Sequence, residues 1–351
     1  GTTLRGVDHN NNSLTNFYSS KNTYRIRSNS GCSTYYKSRY GILYHSNKVY
    51  FLGAYRSQET DIYELNTSTG TCTKIKDYGR SWNPGRLLVS NNILIFPNYQ
   101  NRIFLKDTNS NSTNECYPSG DLLRSIQNSK YNNQIAAAID ASGNLVFKSR
   151  ESSKVIFRKF TLSGSTACPS NNAASTYTLN SNAYVSSAEV MAALPSNAEI
   201  FYALARSSNK LLKITLTSTS TYTLDSVGRR GSLGSTYAPT STSQIRFNYP
   251  SDIAIDTALN RIFVADTNND AIQSFDLDLN FHDWSGYNTR STRMAGAHEA
   301  IKALVTDSSL VSSVNFGFGY WASQYQRIYY NKRRSGRTPI RCSVLVTRGI
   351  L

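Results

Sequence analysis

Residues 249–277 read Tyr-Pro-Ser-Asp-Ile-Ala-Ile-Asp-Thr-Ala-Leu-Asn-Arg-Ile-Phe-Val-Ala-Asp-Thr-Asn-Asn-Asp-Ala-Ile-Gln-Ser-Phe-Asp-Leu, and this stretch decides the fold. Its apolar side chains recur with much of the period of two that is typical of strands. Residues 256–260 and 266–270 are rich in Asp, Asn and Thr, residue types that favour turns. The stretch therefore predicts three short strands separated by two turns.

Weaker copies of the same pattern occur upstream, each with two apolar strands around a turn, a polar loop and a third strand. With the stretch quoted above as the fifth, the units are 41–44, 49–53 and 61–65; 86–89, 93–96 and 102–105; 135–139, 145–148 and 155–160; 190–194, 200–204 and 211–216; 253–255, 262–265 and 272–277. The repeat predicts an all-β fold, a β-propeller of five or six blades. A long β-sandwich is the alternative, but the repeat keeps one phase, which favours the propeller.

The fourth, outer strand of each blade is less clear in the sequence. Candidates are the Thr- and Tyr-rich segments 71–75, 176–179 and 221–224, and residues 24–27 are an extra strand or part of a sixth blade. We expect the ring to close through a blade shared between the two ends of the domain, which removes an exposed sheet edge.

Residues 228–277 resemble an NHL repeat, the blade of one class of β-propeller. The matching features are a Gly-rich entry segment, the Phe-x-x-Pro spacing of Phe247 and Pro250, and the strand pattern quoted above. The resemblance implies a rigid ring that binds a partner, since such propellers are much less often enzymes.

The pattern of apolar residues changes after residue 283. Residues 292–305 have apolar side chains at helical spacing, and 314–322 read as a strand. The segments 292–302, 307–310 and 315–321 are similar to part of a von Willebrand factor A-type domain, in the form found in PilY/PilC-like tip adhesins of type IV pili. The resemblance implies two parts, a propeller at 1–283 and an incomplete A-like segment at 284–351, with a short α/β C-terminal region.

An A-type domain binds Mg²⁺ or Ca²⁺ through Asp-x-Ser-x-Ser, so the resemblance makes Asp283 and Ser285 candidate metal ligands. Tyr287 stands where the second Ser should be, and an ordinary polar turn is the favoured alternative. Asp266, Asn268 and Asp270 have the alternating oxygen ligands of a calcium loop but lack its Gly and Glu. Capping of a propeller turn by Asp266 is the alternative there.

The formal net charge of +16 would attract polyanions. Lys and Arg are scattered singly, however, apart from 332–334, which favours a solvated surface over a binding groove. Five cysteines without Cys-x-x-Cys spacing predict one or two disulfides and no structural zinc site. Cys72, Cys116 and Cys168 are each expected to follow the last strand of a blade, where they need not pair with one another. No apolar run is long enough for a membrane-spanning helix, and the chain reads as a portion of a longer one.

The four histidines are isolated, and no Gly-x-Ser-x-Gly, phosphate-binding or dinucleotide-binding motif is present. The sequence therefore predicts a protein that is not an enzyme. Together the two resemblances imply an extracellular or cell-surface protein of adhesion or assembly at a type IV pilus tip. Its expected partners are other proteins, cell-surface glycans or pilin subunits. The alternative is an NHL-type platform that binds nucleic acid through a basic face.

Overall fold

Five four-stranded antiparallel sheets follow one another along the chain, and in each sheet the strands keep their sequence order. The structure, a computed structural model, describes residues 3–5, 23–25, 42–53, 61–66, 68–78, 85–131, 134–233, 237–269 and 271–286. Blade 1 contains Ile42–His45, Lys48–Gly53, Asp61–Asn66 and Cys72–Lys76; blade 2 Leu88–Ser90, Ile93–Pro97, Ile103–Asp107 and Thr113–Cys116; blade 3 Ala137–Ile139, Leu145–Glu151, Lys154–Phe160 and Ser175–Asn180; blade 4 Val190–Ala193, Ile200–Ala205, Lys210–Leu216 and Tyr222–Val227; and blade 5 Pro250–Asp256, Arg261–Asp266, Ala271–Asp276 and Phe281–Gly286.

The first strands of blades 2, 3, 4 and 5 lie next to one another in that order. The first strand of each blade is therefore the inner one, and the fourth strand lies at the outer edge. This arrangement is a five-bladed β-propeller, and the prediction of an all-β propeller is confirmed.

Apolar side chains from the facing surfaces of neighbouring sheets form the core. The rings of Phe157 in blade 3 and Phe201 in blade 4 lie 5.3 Å apart between their centroids, within one buried cluster. Equivalent clusters lie between blades 1 and 2, 2 and 3, and 4 and 5. A sheet that packs against neighbouring sheets on both faces has no solvent-exposed face. Its central strands therefore consist of consecutive apolar residues, as in the fully buried Ile93–Pro97.

The sequence-based prediction of strands missed two of the five outer strands. Those of blades 1, 3 and 4 were predicted, but Thr113–Cys116 and Phe281–Gly286 were not. The first of these contains Thr, Asn and Glu and is mostly exposed at its start. Polar residues on an edge strand discourage pairing with other chains, and they also weaken the strand signal.

The strand Phe281–Gly286 also corrects the predicted domain boundary. It pairs with Ala271–Asp276 of blade 5, so a boundary between residues 283 and 284 would cut through a strand. The chain divides instead into two units, Gly1–Thr289 and Arg290–Leu351. The second unit, with the predicted helix 292–305, the predicted strand 314–322 and the basic run 332–334, lies outside the described residues. The likeness of that unit to an A-type domain stays a prediction.

The predicted blade shared between the chain ends does not occur within the described ranges, because each sheet takes its fourth strand from the segment directly after its third. Thr3–Arg5 and Thr23–Arg25 pair with each other as a separate two-stranded sheet. In the described connections between blades lie two α-helices, α1 (Gly120–Asn128) and α2 (Ala183–Ser186). Two further short pairs join Lys130–Tyr131 to Gln134–Ile135 and, in parallel, Arg229–Arg230 to Arg246–Phe247. No helix in the described part of the chain is long and apolar enough to cross a membrane.

Candidate binding face

The two faces of the propeller differ in charge. One face, here the entry face, carries the loops between second and third strands and the connections between blades. Its described loops and connections contain Arg86, Arg102, Arg124, Lys130, Arg206, Arg229, Arg230 and Arg246. The loops between first and second and between third and fourth strands, at the opposite face, contain neither Lys nor Arg among the residues described. The fold therefore gathers cations that are scattered along the sequence.

Four of these entry-face cations, together with Lys210 at the start of the third strand of blade 4, form the basic cluster, defined as Arg206, Lys210, Arg229, Arg230 and Arg246. Arg229, Arg230 and Arg246 are exposed, while Arg206 and Lys210 are half-buried. None of the five makes an ion pair with a carboxylate of the described residues. Unneutralised charges concentrated on one surface raise the local concentration of anions and speed their association.

Tyr249 lies within the basic cluster. The guanidinium carbons of Arg206 and Arg230 lie over its ring, 5.8 Å and 6.0 Å from the ring centroid. Tyr249 has φ of +54°, a left-handed conformation that is unfavourable for a bulky side chain and costs about 1–2 kcal/mol. Its backbone N–H donates a 2.8 Å hydrogen bond to Oδ1 of the buried Asn209 in blade 4, which holds this conformation.

The helix α2 positions a second exposed tyrosine on the same face. The Asn182 side-chain oxygen accepts hydrogen bonds from the backbone N–H groups of Tyr184 and Val185 at the helix start. The Lys210 ammonium lies over the Tyr184 ring, 5.5 Å from its centroid. Tyr184 and Tyr249 are 37% and 38% exposed, so both rings can contact a partner while they position the cations.

Gly228 allows the connection from blade 4 to blade 5 to run close to this site. Its φ is +101°, and a Cβ atom there would lie 2.5 Å from the Phe247 ring and 2.7 Å from the Asn209 carbonyl oxygen. Only glycine fits both the conformation and the space. Arg229 and Arg230 follow directly, so this glycine fixes where the basic cluster begins.

Asp266, the first predicted calcium ligand, lies in a cage of hydrogen-bond donors. One carboxylate oxygen accepts from the Asn248 backbone N–H at 2.7 Å. The other accepts from the side-chain amides of Asn269 and Gln273, at 2.6 Å and 2.8 Å. The side chain is fully buried, and burial raises the pKa of the Asp266 carboxyl to about 6. These contacts are those of a structural cap that ties the entry segment of blade 5 to its strands.

The remaining predicted ligands lie apart from this cage or outside the described residues. Asn268 is exposed, and Asp270 is not described. Asp283 lies in the outer strand of blade 5, where its backbone oxygen accepts from Ser274 and its carboxylate from the Trp284 N–H. Ser285 belongs to the same strand, so neither residue is in the polar turn that the sequence suggested. No three His, Cys, Asp or Glu side chains within the described ranges are grouped as metal ligands, and binding of Ca²⁺ or Mg²⁺ stays a prediction.

Replacement of Asp266 tests the cage. Asp266→Asn keeps the shape but turns one acceptor into a donor, so at least one buried N–H loses its partner. We expect the free energy of unfolding, measured by denaturant titration above the pKa of about 6, to fall by about 1–3 kcal/mol. Asp276→Asn is the matched control, because Asp276 accepts from three donors in an exposed turn that water can reach. Equal losses for both variants would contradict the structural cage.

Lysines also join neighbouring blades. The fully buried Lys148 of blade 3 donates to the backbone oxygens of Val185, Ser186 and Ala188, at 3.2 Å, 3.0 Å and 2.6 Å, at the entry to blade 4. Burial lowers the pKa of the Lys148 ammonium to about 7. Lys159 of blade 3 pairs with Glu199 in the loop between the first and second strands of blade 4, and Lys76 of blade 1 pairs with Glu115 of blade 2. Part of the large positive charge is thus structural.

A disulfide joins blades 2 and 3. Cys116 ends the outer strand of blade 2, and Cys168 lies in the loop between the third and fourth strands of blade 3, with Cα atoms 5.6 Å apart. Cys72, which begins a fourth strand, is also disulfide-bonded. The prediction of disulfides is confirmed. The expectation that all three follow the last strand of a blade was wrong, because the fourth strands had not been fully assigned.

The sequence did not reveal the basic cluster. Only Arg229 and Arg230 are adjacent, and the other members come from a loop of blade 4 and from the far end of the connection to blade 5. A usable signal was present all the same. Once strands are assigned, sorting Lys and Arg by loop type separates the two faces without coordinates.

Solved structures with a similar fold include a streptogramin B lyase, 14% identical over 72% of this chain and 71% of that chain, with a TM-score of 0.43. An auxiliary nutrient binding protein from Bacteroides thetaiotaomicron is 13% identical, with 72% and 57% covered and a TM-score of 0.47. A calcium-binding protein, regucalcin, from Agrobacterium tumefaciens is 12% identical, with 70% and 73% covered and a TM-score of 0.42. At these levels of similarity we infer nothing from them about activity.

No curated protein is significantly similar to this chain. Residues 247–275 match the family model of the NHL repeat. They run from the entry segment of blade 5 to near the end of its third strand, the stretch that carried the resemblance in the sequence. Blade 5 is therefore an NHL repeat within a five-bladed propeller.

Proposed function

We propose that this propeller is a binding module of the cell exterior that acts in adhesion or assembly, and that its entry face contacts the partner. The observation that carries the proposal is the basic cluster. Five cations that have no carboxylate partner among the described residues lie on one face together with two exposed tyrosines. Tyrosine offers a rigid contact area with a polar tip, and the cations attract an acidic partner.

The disulfide between Cys116 and Cys168 supports the proposed location. Disulfides form and persist in secreted and cell-surface proteins and are rare where thiols are kept reduced. Immunogold labelling of intact, unpermeabilised source cells tests this part. We expect labelling at the cell surface, and labelling restricted to the interior of sectioned cells would contradict it.

A place at the tip of a type IV pilus is the more specific form of the proposal. It rests on the resemblance of residues 292–321 to pilus tip adhesins, together with the propeller that precedes them. Purified pili provide the test: the chain should remain with pilin through shearing and sedimentation, at one end of the fibre by immunogold. Loss of the chain from washed pili would remove the pilus assignment and leave the binding module.

Competition for attachment tests the binding function itself. The purified full chain, added in excess, should reduce attachment of source cells to their natural surface by occupying the partner. A variant with Arg229→Gln, Arg230→Gln and Arg246→Gln should compete at least about tenfold less well. Failure of the unmodified chain to compete at any concentration would overturn the proposal.

Nucleic-acid binding is the second candidate function. The sequence suggested that the positive charge is dispersed over the surface, but the cations of the described loops lie on one face, which supports this candidate. A filter-binding assay with single-stranded RNA at increasing salt decides this point. Affinity that falls steeply with salt would indicate phosphate contacts. No retention at low salt would remove the candidate.

A further inference from the structure

Tyr249 combines a strained backbone with a ring that carries two guanidinium groups. A left-handed conformation persists in a bulky residue only where the surroundings enforce it, and such positions are concentrated at functional sites. Here the enforcing contact is the hydrogen bond from the Tyr249 N–H to Asn209, itself left-handed and buried. The consequence is that the ring projects at the start of blade 5 rather than packing into the core.

The guanidinium groups of Arg206 and Arg230 converge on that ring from different segments of the chain. Arg206 follows the second strand of blade 4, and Arg230 lies in the connection to blade 5. Both lie within 6.0 Å of the same ring centroid, and neither has a carboxylate partner in the described part of the chain. Two planar guanidinium groups, each with several N–H donors, are thus held close together at a partly exposed site.

We propose that Arg206, Arg230 and Tyr249, with Lys210 and Tyr184 beside them, form a binding site for an acidic polysaccharide, one that bears carboxylate or sulfate groups. A guanidinium group matches the planar, two-oxygen edge of a carboxylate or sulfate by paired hydrogen bonds. A polysaccharide repeats such groups along its length, so it can engage both arginines and Lys210 together. This inference names the partner class of the proposed binding module and rests on that function.

The same geometry disfavours single-stranded nucleic acid as the partner. Proteins that bind single strands stack bases on free aromatic faces. At this site the Tyr249 ring already carries two guanidinium groups, and the Tyr184 ring carries the Lys210 ammonium. The tyrosines therefore position charges, which suits a ligand recognised by its anionic groups rather than by stacked rings.

Direct titration of the full chain tests the inference with four probes: heparin, polygalacturonate, neutral dextran and single-stranded oligouridine. We expect binding to heparin or polygalacturonate that weakens with salt, and none to dextran. Binding to heparin but not to polygalacturonate would identify sulfate as the recognised group. Binding to polygalacturonate but not to heparin would identify carboxylate. Tighter binding of oligouridine than of both acidic polysaccharides would overturn the inference, as would no binding of either polysaccharide.

Two variants assign the binding to this site. Tyr249→Gly removes the ring but suits the left-handed backbone, so thermal stability should be kept while affinity falls at least about tenfold. Arg230→Gln should lower affinity similarly. Tyr117→Ala is the matched control, because Tyr117 is an exposed tyrosine with Arg102 over its ring, 5.0 Å from the centroid, at the outer edge of blade 2. Wild-type affinity in a folded Tyr249→Gly protein would contradict the site.

The two proposals fail in different ways. If the chain competes for cell attachment but binds no acidic polysaccharide, the binding module stands and the partner class is wrong. If the chain binds acidic polysaccharide at Tyr249 but does not compete for attachment, the site stands and the role in adhesion is wrong.

Discussion

Removal of the disulfide by Cys116→Ala together with Cys168→Ala should lower the free energy of unfolding by about 4 kcal/mol. The bond closes a loop with a sequence separation of 52 residues, and the chain-entropy model gives roughly this magnitude for a loop of that length. The native contacts around the bond add to the effect, since the loop of blade 3 also accepts hydrogen bonds from the Asn114 side-chain amide in the outer strand of blade 2 and from the Ser119 backbone N–H just after it. Denaturant titration under oxidising conditions measures the change.

The control for this prediction is the same comparison in the presence of a reductant. Reduction opens the bond in the wild type, so the wild type and the double variant should then unfold at nearly the same denaturant concentration. Cys72 is disulfide-bonded in both proteins and affects both equally. A difference that persists after reduction would show that the lost stability comes from packing of Cys116, which is buried, rather than from the bond.

Replacement of Lys148 by Met should change how the free energy of unfolding depends on pH. The difference in unfolding free energy between variant and wild type should change by up to about 4 kcal/mol between pH 10 and pH 7. Burial holds the folded-state pKa of Lys148 at about 7, below its ordinary value of 10.5. Between these values the unfolded chain takes up a proton that the folded protein does not. Wild-type stability therefore falls as pH is lowered through this range, and the variant should lack this contribution.

The measurement is the free energy of unfolding of both proteins at several pH values. Relative to the wild type, Lys148→Met should gain stability as pH falls from 10 towards 7. In the variant three backbone oxygens also lose their ammonium donor, which shifts the free energy of unfolding by a similar amount at every pH. The prediction is therefore tested by how the free energy of unfolding changes with pH and not by its value at one pH. Lys154→Met, which removes an exposed lysine of the same blade, should leave the slope unchanged. Parallel curves for Lys148→Met and the wild type would contradict the low pKa.

The three inner strands of every blade could be predicted from the sequence, because a sheet covered on both faces needs long apolar runs. The segment 93–96, Ile-Leu-Ile-Phe, is one, and it lies within the buried strand Ile93–Pro97. The outer strand Phe281–Gly286 could not be recognised in the same way. Its Asp and Ser look like a turn or a metal motif until the pairing with Ala271–Asp276 is known.

The candidate site depended much more on the tertiary structure. Asp266 was singled out by its spacing from Asn268, but its role as a buried cap became visible only through its donors from the backbone of Asn248 and the side chains of Asn269 and Gln273. For Arg206 the loop type indicates the face but not the contact partner. Its position over Tyr249 requires two blades to be in place.

By itself the sequence determined the class of fold, the repeat and the NHL character of blade 5, since strand periodicity and turn residues act within a few neighbouring positions. Only the tertiary structure decided which cysteines pair, which lysine is buried and which cations of one face come together. The physical reason is that these contacts join residues far apart in the sequence, which meet only when neighbouring blades pack against each other. Loop type assigns a cation to a face, but no local pattern records that Arg206 and Arg230 meet at the Tyr249 ring.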